Sequence, residues 1–425
     1  MLRSLVGSEM CIRDRTNPEA IIWAVDGVDD NSVAFAARLM EKGVEVRIID
    51  KEALLSKQSL SRGSIAVLAM DNPEYEDLSE TVNSIASDLD ISVLSIESGF
   101  GAEELPDWGG RHFRLLERPQ IAILSQSGFS SYDVGVSWWS LDHHLGIRHS
   151  QIDASLVNYA DLRRYNTIIL PSGYRDMGEY EKKVLSDWME QGGTLIAHAA
   201  SSSALASEQG IGSVKLLQNT FEESEKYNIS LQRELSALYE ELDIESVNSN
   251  KVDLDTAYPW EQSEGKYPPS QLEYRDDWQS IFMPSGAFVS GRTDQEHWLT
   301  FGTNSTLPLL YRSYPVLMSD DSSEAPIRVG VFSDSAKANT YSTINWSDIP
   351  PGKELNVRMS GLLWPEAAQR IANSAYLTRD RIGKGQLILF SGEPNFRGAT
   401  LGTNRVWLNA VVYGAGLGTE PRINP

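Results

Sequence analysis

Cysteine is nearly absent: Cys11 is the only one in 425 residues. That excludes an intrachain disulfide framework and any cysteine-rich metal site. Basic residues are scarce, 37 against 59 acidic ones, for a formal net charge of -22. Such an excess repels phosphate backbones and anionic lipid surfaces, which argues against nucleic acid as a partner and leaves a solvated acidic face or a cationic ligand. No apolar run approaches the roughly 18 residues of a membrane span. There is no Gly-x-Ser-x-Gly elbow of the kind that serine hydrolases use. The six histidines are His112, His143, His144, His149, His198 and His297, and none has a glutamate three residues later. The zinc ligand pair His-x-x-Glu is therefore missing. His143 and His144 are adjacent, so on a helix they diverge by about 100° and suit a shared metal poorly.

What is present is alternation of strand-like and helix-like segments. Residues 20–25 (AIIWAV), 44–49 (VEVRII), 64–69 (SIAVLA) and 91–96 (ISVLSI) predict strands. Helical spacing appears over 30–42, and in Leu78, Val82, Ile85 and Leu89. Residues 16 to about 104 thus read as a small α/β domain with a parallel sheet, and 104–119 as a connector. A second α/β unit follows, with strands predicted at 120–124, 167–170, 194–197 and 386–390. Its helical faces include Val134, Trp138, Leu141 and Leu145, then Tyr180, Val184 and Trp188, then 367–377, and finally 405–412. Trp138, Trp188 and Trp407 fall on these faces and are expected in the core. Residues 216–360 lose the period apart from the stripe Leu231, Leu235, Leu238 and Leu242. They read as an α+β insertion of the kind that carries binding or docking surface. The second unit then spans 105–215 and 361–415, with a tail over 416–425.

Residues 1–15 (MLRSLVGSEMCIRDR) have no continuity with this pattern. They resemble a translated sequencing-adapter segment, which implies a disordered artefact, a true chain beginning near Thr16 and a gene truncated at its 5′ end.

Five segments carry a second resemblance: 119–146 (PQIAILSQSGFSSYDVGVSWWSLDHHLG), 164–173 (RYNTIILPSG), 191–200 (QGGTLIAHAA), 383–398 (GKGQLILFSGEPNFRG) and 402–410 (GTNRVWLNA). In this order they resemble the C-terminal region of bacterial zinc carboxypeptidases of the carboxypeptidase A type. In that group a peptidase domain precedes a domain similar to class I glutamine amidotransferases. The resemblance implies parallel-sheet α/β units, flavodoxin-like or amidotransferase-like, the second interrupted by the insertion. It also implies zinc and peptide cleavage in a missing N-terminal peptidase domain, periplasmic or secreted location, and no cofactor in the present chain. That domain, and peptide substrate, are the implied partners.

A glutaminase needs a cysteine on the sharp turn after a strand and a histidine base from a later strand. The first turn falls here at His198-Ala199-Ala200 and the second at Ser391-Gly392-Glu393. Neither side of the dyad is present, so the site is expected to be vacated. His198, Ala199, Glu393 and Arg397 remain as ligand candidates around it, with Glu393 free to pair with Arg397. The expected function is a non-catalytic accessory region of a metallocarboxypeptidase-like protein. Two other readings stay open: a free-standing module that binds a small anionic ligand or glycan, and a hydrolase built from Ser201, Ser202 or Ser203 with His198. The purified chain is expected to hold no stoichiometric zinc and to release no C-terminal residue from peptides. Metal analysis giving one tightly bound zinc per chain would contradict this.

Overall fold

A computed structural model describes residues 20–101, 105–174, 177–239, 267–335 and 342–420. Residues 1–15, Thr16, Leu242 and the end of the tail lie outside these. The first unit runs β1 (Ile22–Val25), α1 (Ser32–Glu41), β2 (Arg47–Ile49), a hairpin of β3 (Ala53–Leu55) and β4 (Gln58–Leu60), β5 (Ile65–Leu68), α2 (Leu78–Asp88), β6 (Leu94–Ile96) and β7 (Phe113–Leu115). The sheet order is β6-β1-β5-β2-β7. Every pairing in it is antiparallel. The parallel sheet expected for this unit is thus corrected to a split β-α-β arrangement of ferredoxin-like order. The hairpin is the physical reason. Its two loop residues, Ser56 and Lys57, have φ of 48° and 69°. That backbone suits a tight hairpin turn, and it sends β5 back between β1 and β2. The same alternation of elements is compatible with either sheet, and no Asn-Gly or Asp-Gly signature marks this turn. Trp23, Val25, Ile65 and Val67 join the core that contains both helices, while Ile22, Ala24, Ala66 and Leu68 face the hairpin's Leu55 and Leu60.

The second unit begins with β8 (Ile121–Ser125), α3 (Ser131–Trp139), β9 (His149–Asp153), β10 (Thr167–Leu170), α4 (Glu179–Glu190), β11 (Thr194–His198) and α5 (Ala199–Leu205). Next come β12 (Lys215–Leu216), α6 (Ser224–Tyr239), α7 (Pro269–Ser280), β13 (Ala287–Thr293), β14 (Thr306–Tyr311), β15 (Leu317–Met318) and β16 (Glu324–Val329). Four short strands, β17 (Val331–Asp334), β18 (Ser342–Ile344), β19 (Ser347–Ile349) and β20 (Lys353–Asn356), pair as β17 with β20 and β18 with β19. The chain closes with β21 (Arg358–Ser360), α8 (Pro365–Ile371), β22 (Ala375–Ile382), β23 (Gly385–Phe390) and α9 (Leu401–Leu417).

Its main sheet runs β14-β13-β16-β22-β23-β11-β10-β8-β9. The five strands β9, β8, β10, β11 and β23 are mutually parallel. In chain order their spatial sequence is 2-1-3-4-5, the flavodoxin-like doubly wound order. The α/β class with a parallel core is therefore present. The strands of 287–329 extend this same sheet antiparallel through β22.

Two local expectations differ. The segment 367–377 is not one helix. Asn373 at φ 58° ends α8, and Ala-Tyr-Leu-Thr then forms β22, which folds back on β23 through Gly383 at φ 57°. Trp138 is 44% exposed, whereas Trp188 and Trp407 are buried. A π-helical turn over Ser140–Leu145 shifts the helical phase, so Leu141 and Leu145 reach the core and Trp138 does not.

The two units meet at α9. Arg405 is buried there, and its guanidinium donates to Asp29 O at 2.6 Å, Gly27 O at 2.8 Å and Ser32 Oγ at 2.9 Å. Its Nε donates to Asn409 Oδ1 at 3.1 Å, and Asn409 Nδ2 donates to Phe301 O at 2.8 Å. Burial pulls the arginine's pKa below its usual value. Replacing Arg405 by Met should lower the unfolding free energy by about 3 kcal/mol in a urea titration, because buried acceptors lose their donor. Arg163→Met, at a guanidinium 80% exposed, should change little. Equal effects would refute the junction's importance.

Candidate functional site

Ligands in open α/β sheets collect beyond the carboxyl ends of the parallel strands, at the point where the strand order reverses. That point lies here between β8 and β10, and a cleft of about 1450 Å³ opens beside it. Its walls come from four parts of the chain: Ser130 and Asp133 after β8, Gly173 and Tyr174 after β10, Ala200 and Ser203 on α5, and Glu393 and Arg397 after β23. Residues beyond β14, notably Arg312 and Tyr314, close the remaining side.

The turns after β11 and β23 lie side by side, because His198 pairs in parallel register with Phe390. Ala199 follows with φ 45° and is fully buried. A strand running through a left-handed residue into a helix is the strained elbow on which hydrolytic nucleophiles sit. A non-glycine residue there costs about 1–2 kcal/mol. Alanine carries that strain with no reacting group to present. Further positive φ values occur at the same edge, at Gln126, Ser127, Ser313 and Arg397. Clustering of strained backbone is a feature of functional sites.

His198 turns to the other side. It is buried against α9, and its Nε2 accepts the Trp407 indole N–H at 2.7 Å. Burial pushes its pKa down to about 3, so the ring is neutral at ordinary pH. Ser201 Oγ donates to Pro171 O at 2.6 Å and Ser202 Oγ to Phe390 O at 2.8 Å. These hydroxyls hold strand ends together, and only Ser203 of the three lines the cleft. His143 and His144 pack against Trp139, the first tilted and the second edge-on, with ring centroids 5.0 and 4.3 Å away. His144 Nδ1 also meets Asn404 Nδ2 at 3.2 Å.

Glu393 is buried and meets Arg312 Nη1 at 3.4 Å, rather than Arg397. The left-handed backbone at Arg397 (φ 50°) and Gly398 (φ 68°) turns the chain at this point. The Arg312 and Arg397 guanidinium carbons each lie 5.1 Å from the Phe396 ring centroid. Arg370 also lines the cleft but is held by Asp276 through two contacts of 2.7 and 3.1 Å.

Asp133 was not singled out from the sequence, although Ser130-Ser131-Tyr132-Asp133 has the spacing of a capping box. Ser130 Oγ accepts the Asp133 backbone N–H at 3.4 Å. The Asp133 carboxyl is raised to about 6, first by burial and then by the nearby Glu393. Tyr314 is pushed up by burial and by Glu393, so its hydroxyl keeps its proton. Arg312 and Tyr314 come from the aperiodic insertion, where no motif marks them.

No protein-family model matches this sequence, and no curated protein matches it either. Among solved structures the chain is weakly similar to a ThuA-like protein from Bacteroides uniformis, with 12% identity, a TM-score of 0.32, and 72% of this chain and 95% of that one covered. A ThuA-like protein from Parabacteroides merdae gives 10%, 0.33, 73% and 94%. A β-galactosidase from Bacillus circulans sp. alkalophilus gives 12% and 0.34, covering 87% of this chain but 38% of that one. At such scores these likenesses carry no argument about activity, and the fold rests on the strand order itself.

In a carbon-13 titration, the Asp133 carboxyl should show a midpoint of about 6. Glu393→Gln should move it down, since one of the two causes is removed. The raised folded-state value means that the folded chain holds this proton more tightly. Its contribution to stability therefore falls as pH rises from about 4 to 6, then levels off. A wild-type midpoint of about 4 would show that the cleft is wet and that neither cause operates.

Proposed function

We propose that this chain is the non-catalytic accessory region of a zinc metallocarboxypeptidase-type protein. Its amidotransferase-like unit has lost its nucleophile and keeps its cleft for binding. The observation that carries the non-catalytic part is Ala199. The elbow's strained backbone is retained while the side chain that would form a covalent intermediate is a methyl group. The neighbouring turn offers Ser391, Gly392 and Glu393 in place of a base histidine. The carboxypeptidase part rests on the sequence resemblance alone. It assigns zinc to a separate peptidase domain, which this region would dock or supply with peptide, and a periplasmic or secreted setting. Among the described residues no three acidic, histidine or cysteine side chains gather to hold that zinc, and His143 and His144 pack against Trp139.

A second reading is favoured by the cleft itself: a free-standing module for a small polar ligand. The cleft exceeds the roughly 300–1,000 Å³ of most small-molecule sites, which suits a ligand longer than a single amino acid better.

Two experiments test the proposal. Glutamine turnover by the purified chain should stay at background, and it should stay there in Ala199→Cys, because among the described residues no histidine lines the cleft to act as base for the new thiol. Turnover by the wild-type chain would overturn the non-catalytic reading. The genomic sequence upstream of the Thr16 codon should encode, in frame, a domain with a His-x-x-Glu pair. A start codon next to Thr16 would leave the second reading in its place.

A further inference from the structure

We propose that the cleft beside the Ala199 elbow is a receptor for a peptide bearing a basic side chain, whose lysine ammonium or arginine guanidinium seats between Asp133 and Glu393. This rests on the reading of the cleft as a binding site and names its ligand class.

The charges of the cleft wall carry the inference. Arg370 is committed to Asp276 through both carboxylate oxygens. Arg312 has its side chain 41% exposed and reaches Glu393 through a single contact at 3.4 Å, longer than a good charge-assisted hydrogen bond. Arg397 is exposed at the rim beside Phe396. Asp133 is left over. It is only 7% exposed, lines the cleft, and has no basic partner within ion-pair distance among the described residues. The Ser130 hydroxyl hydrogen-bonds to it, and the Arg312 guanidinium acts on it only through space, without an ion-pair contact. Glu393, 9% exposed, is close enough to disfavour its ionisation.

Two nine-tenths buried carboxyl groups thus share one weakly held cation. Burying such charge without a partner is costly, and a cation that enters recovers part of that cost. A bare metal ion fits less well, because no three acidic, histidine or cysteine side chains gather among the described residues. A basic side chain fits better. The mouth is flanked by Tyr132 and Tyr174, 82% and 97% exposed. Such rings offer apolar faces to the methylene stem behind a charged head. The net charge of -22 also draws cationic peptides to the surface.

The test uses the full chain and three capped tripeptides that differ only at the middle residue: lysine, norleucine or glutamate. Calorimetric titration should give binding of the lysine peptide, at least about tenfold weaker binding of the norleucine peptide, and none of the glutamate peptide. Asp133→Asn and Glu393→Gln should each weaken the lysine peptide by about tenfold, while Arg163→Ala, at an exposed guanidinium away from the cleft, should have little effect. The peptide series on the wild-type chain needs no variant, so misfolding of either variant leaves the test intact. Equal binding of the lysine and norleucine peptides, preference for glutamate, or no binding at millimolar concentration overturns the inference. If binding fails while glutamine turnover stays at background, only this inference falls. Turnover would remove the non-catalytic reading beneath it.

Discussion

Gln386 donates to Thr194 Oγ1 at 3.1 Å and to the Gly414 carbonyl at 2.9 Å, and its Oε1 accepts from Arg379 Nε at 2.7 Å. It has no exposed surface. One side-chain amide thus ties β11, β22, β23 and α9 together across 192 positions of sequence. A buried polar group is tolerated only when its hydrogen bonds are made, and here each partner fixes a different element. Gly418 shows how tight this arrangement is, since a Cβ there would lie 1.8 Å from Gln386 Oε1. With β11 and β23 in register, the two strand-end turns must share one edge. The elbow, the acidic pair and the cleft all depend on that register.

The 216–360 segment is more than an appendage on this frame. Its strands continue the sheet beyond β22, and its Arg312 and Tyr314 complete the cleft. Phe301, from the same segment, accepts Asn409 Nδ2 beside the Arg405 junction. Arg405 in turn holds the loop that opens the first unit's leading helix. At this junction the Arg405 fork is met by backbone carbonyls and a serine hydroxyl, which fix its geometry without supplying opposite charge, while Arg62 with Glu296 and Glu41 with Arg148 add ion pairs between the units.

A strained elbow with alanine in it separates two things that a working active site combines. The backbone geometry belongs to the fold, through the strand–helix junction and the two serine hydroxyls that hold Pro171 and Phe390. The chemistry belongs to one side chain and a base, and both can be absent while the scaffold persists. On the proposed non-catalytic reading, what remains is shape and charge. Asp133 sits in the capping turn of α3, where the helix N-terminus favours a carboxylate. Burial and Glu393 act in the opposite sense, and the balance leaves it protonating near 6.

By itself the sequence determined the element pattern of the parallel core, the absence of a cysteine–histidine dyad, and the two turns that border the cleft. These are local properties: apolar runs ending in small residues, and the presence or absence of a residue type. Three things were decided only by tertiary structure. Whether the first unit is parallel or antiparallel depends on where β5 inserts, and short-range alternation is the same for both. The side to which His198 points depends on α9 packing on one face of β11, where Trp407 claims its Nε2. The acidic pair needs Asp133 from the first turn of α3 and Glu393 from the turn after β23, brought together with Arg312 from beyond β14. No spacing along the chain encodes that meeting, because it is set by the order of strands in the sheet.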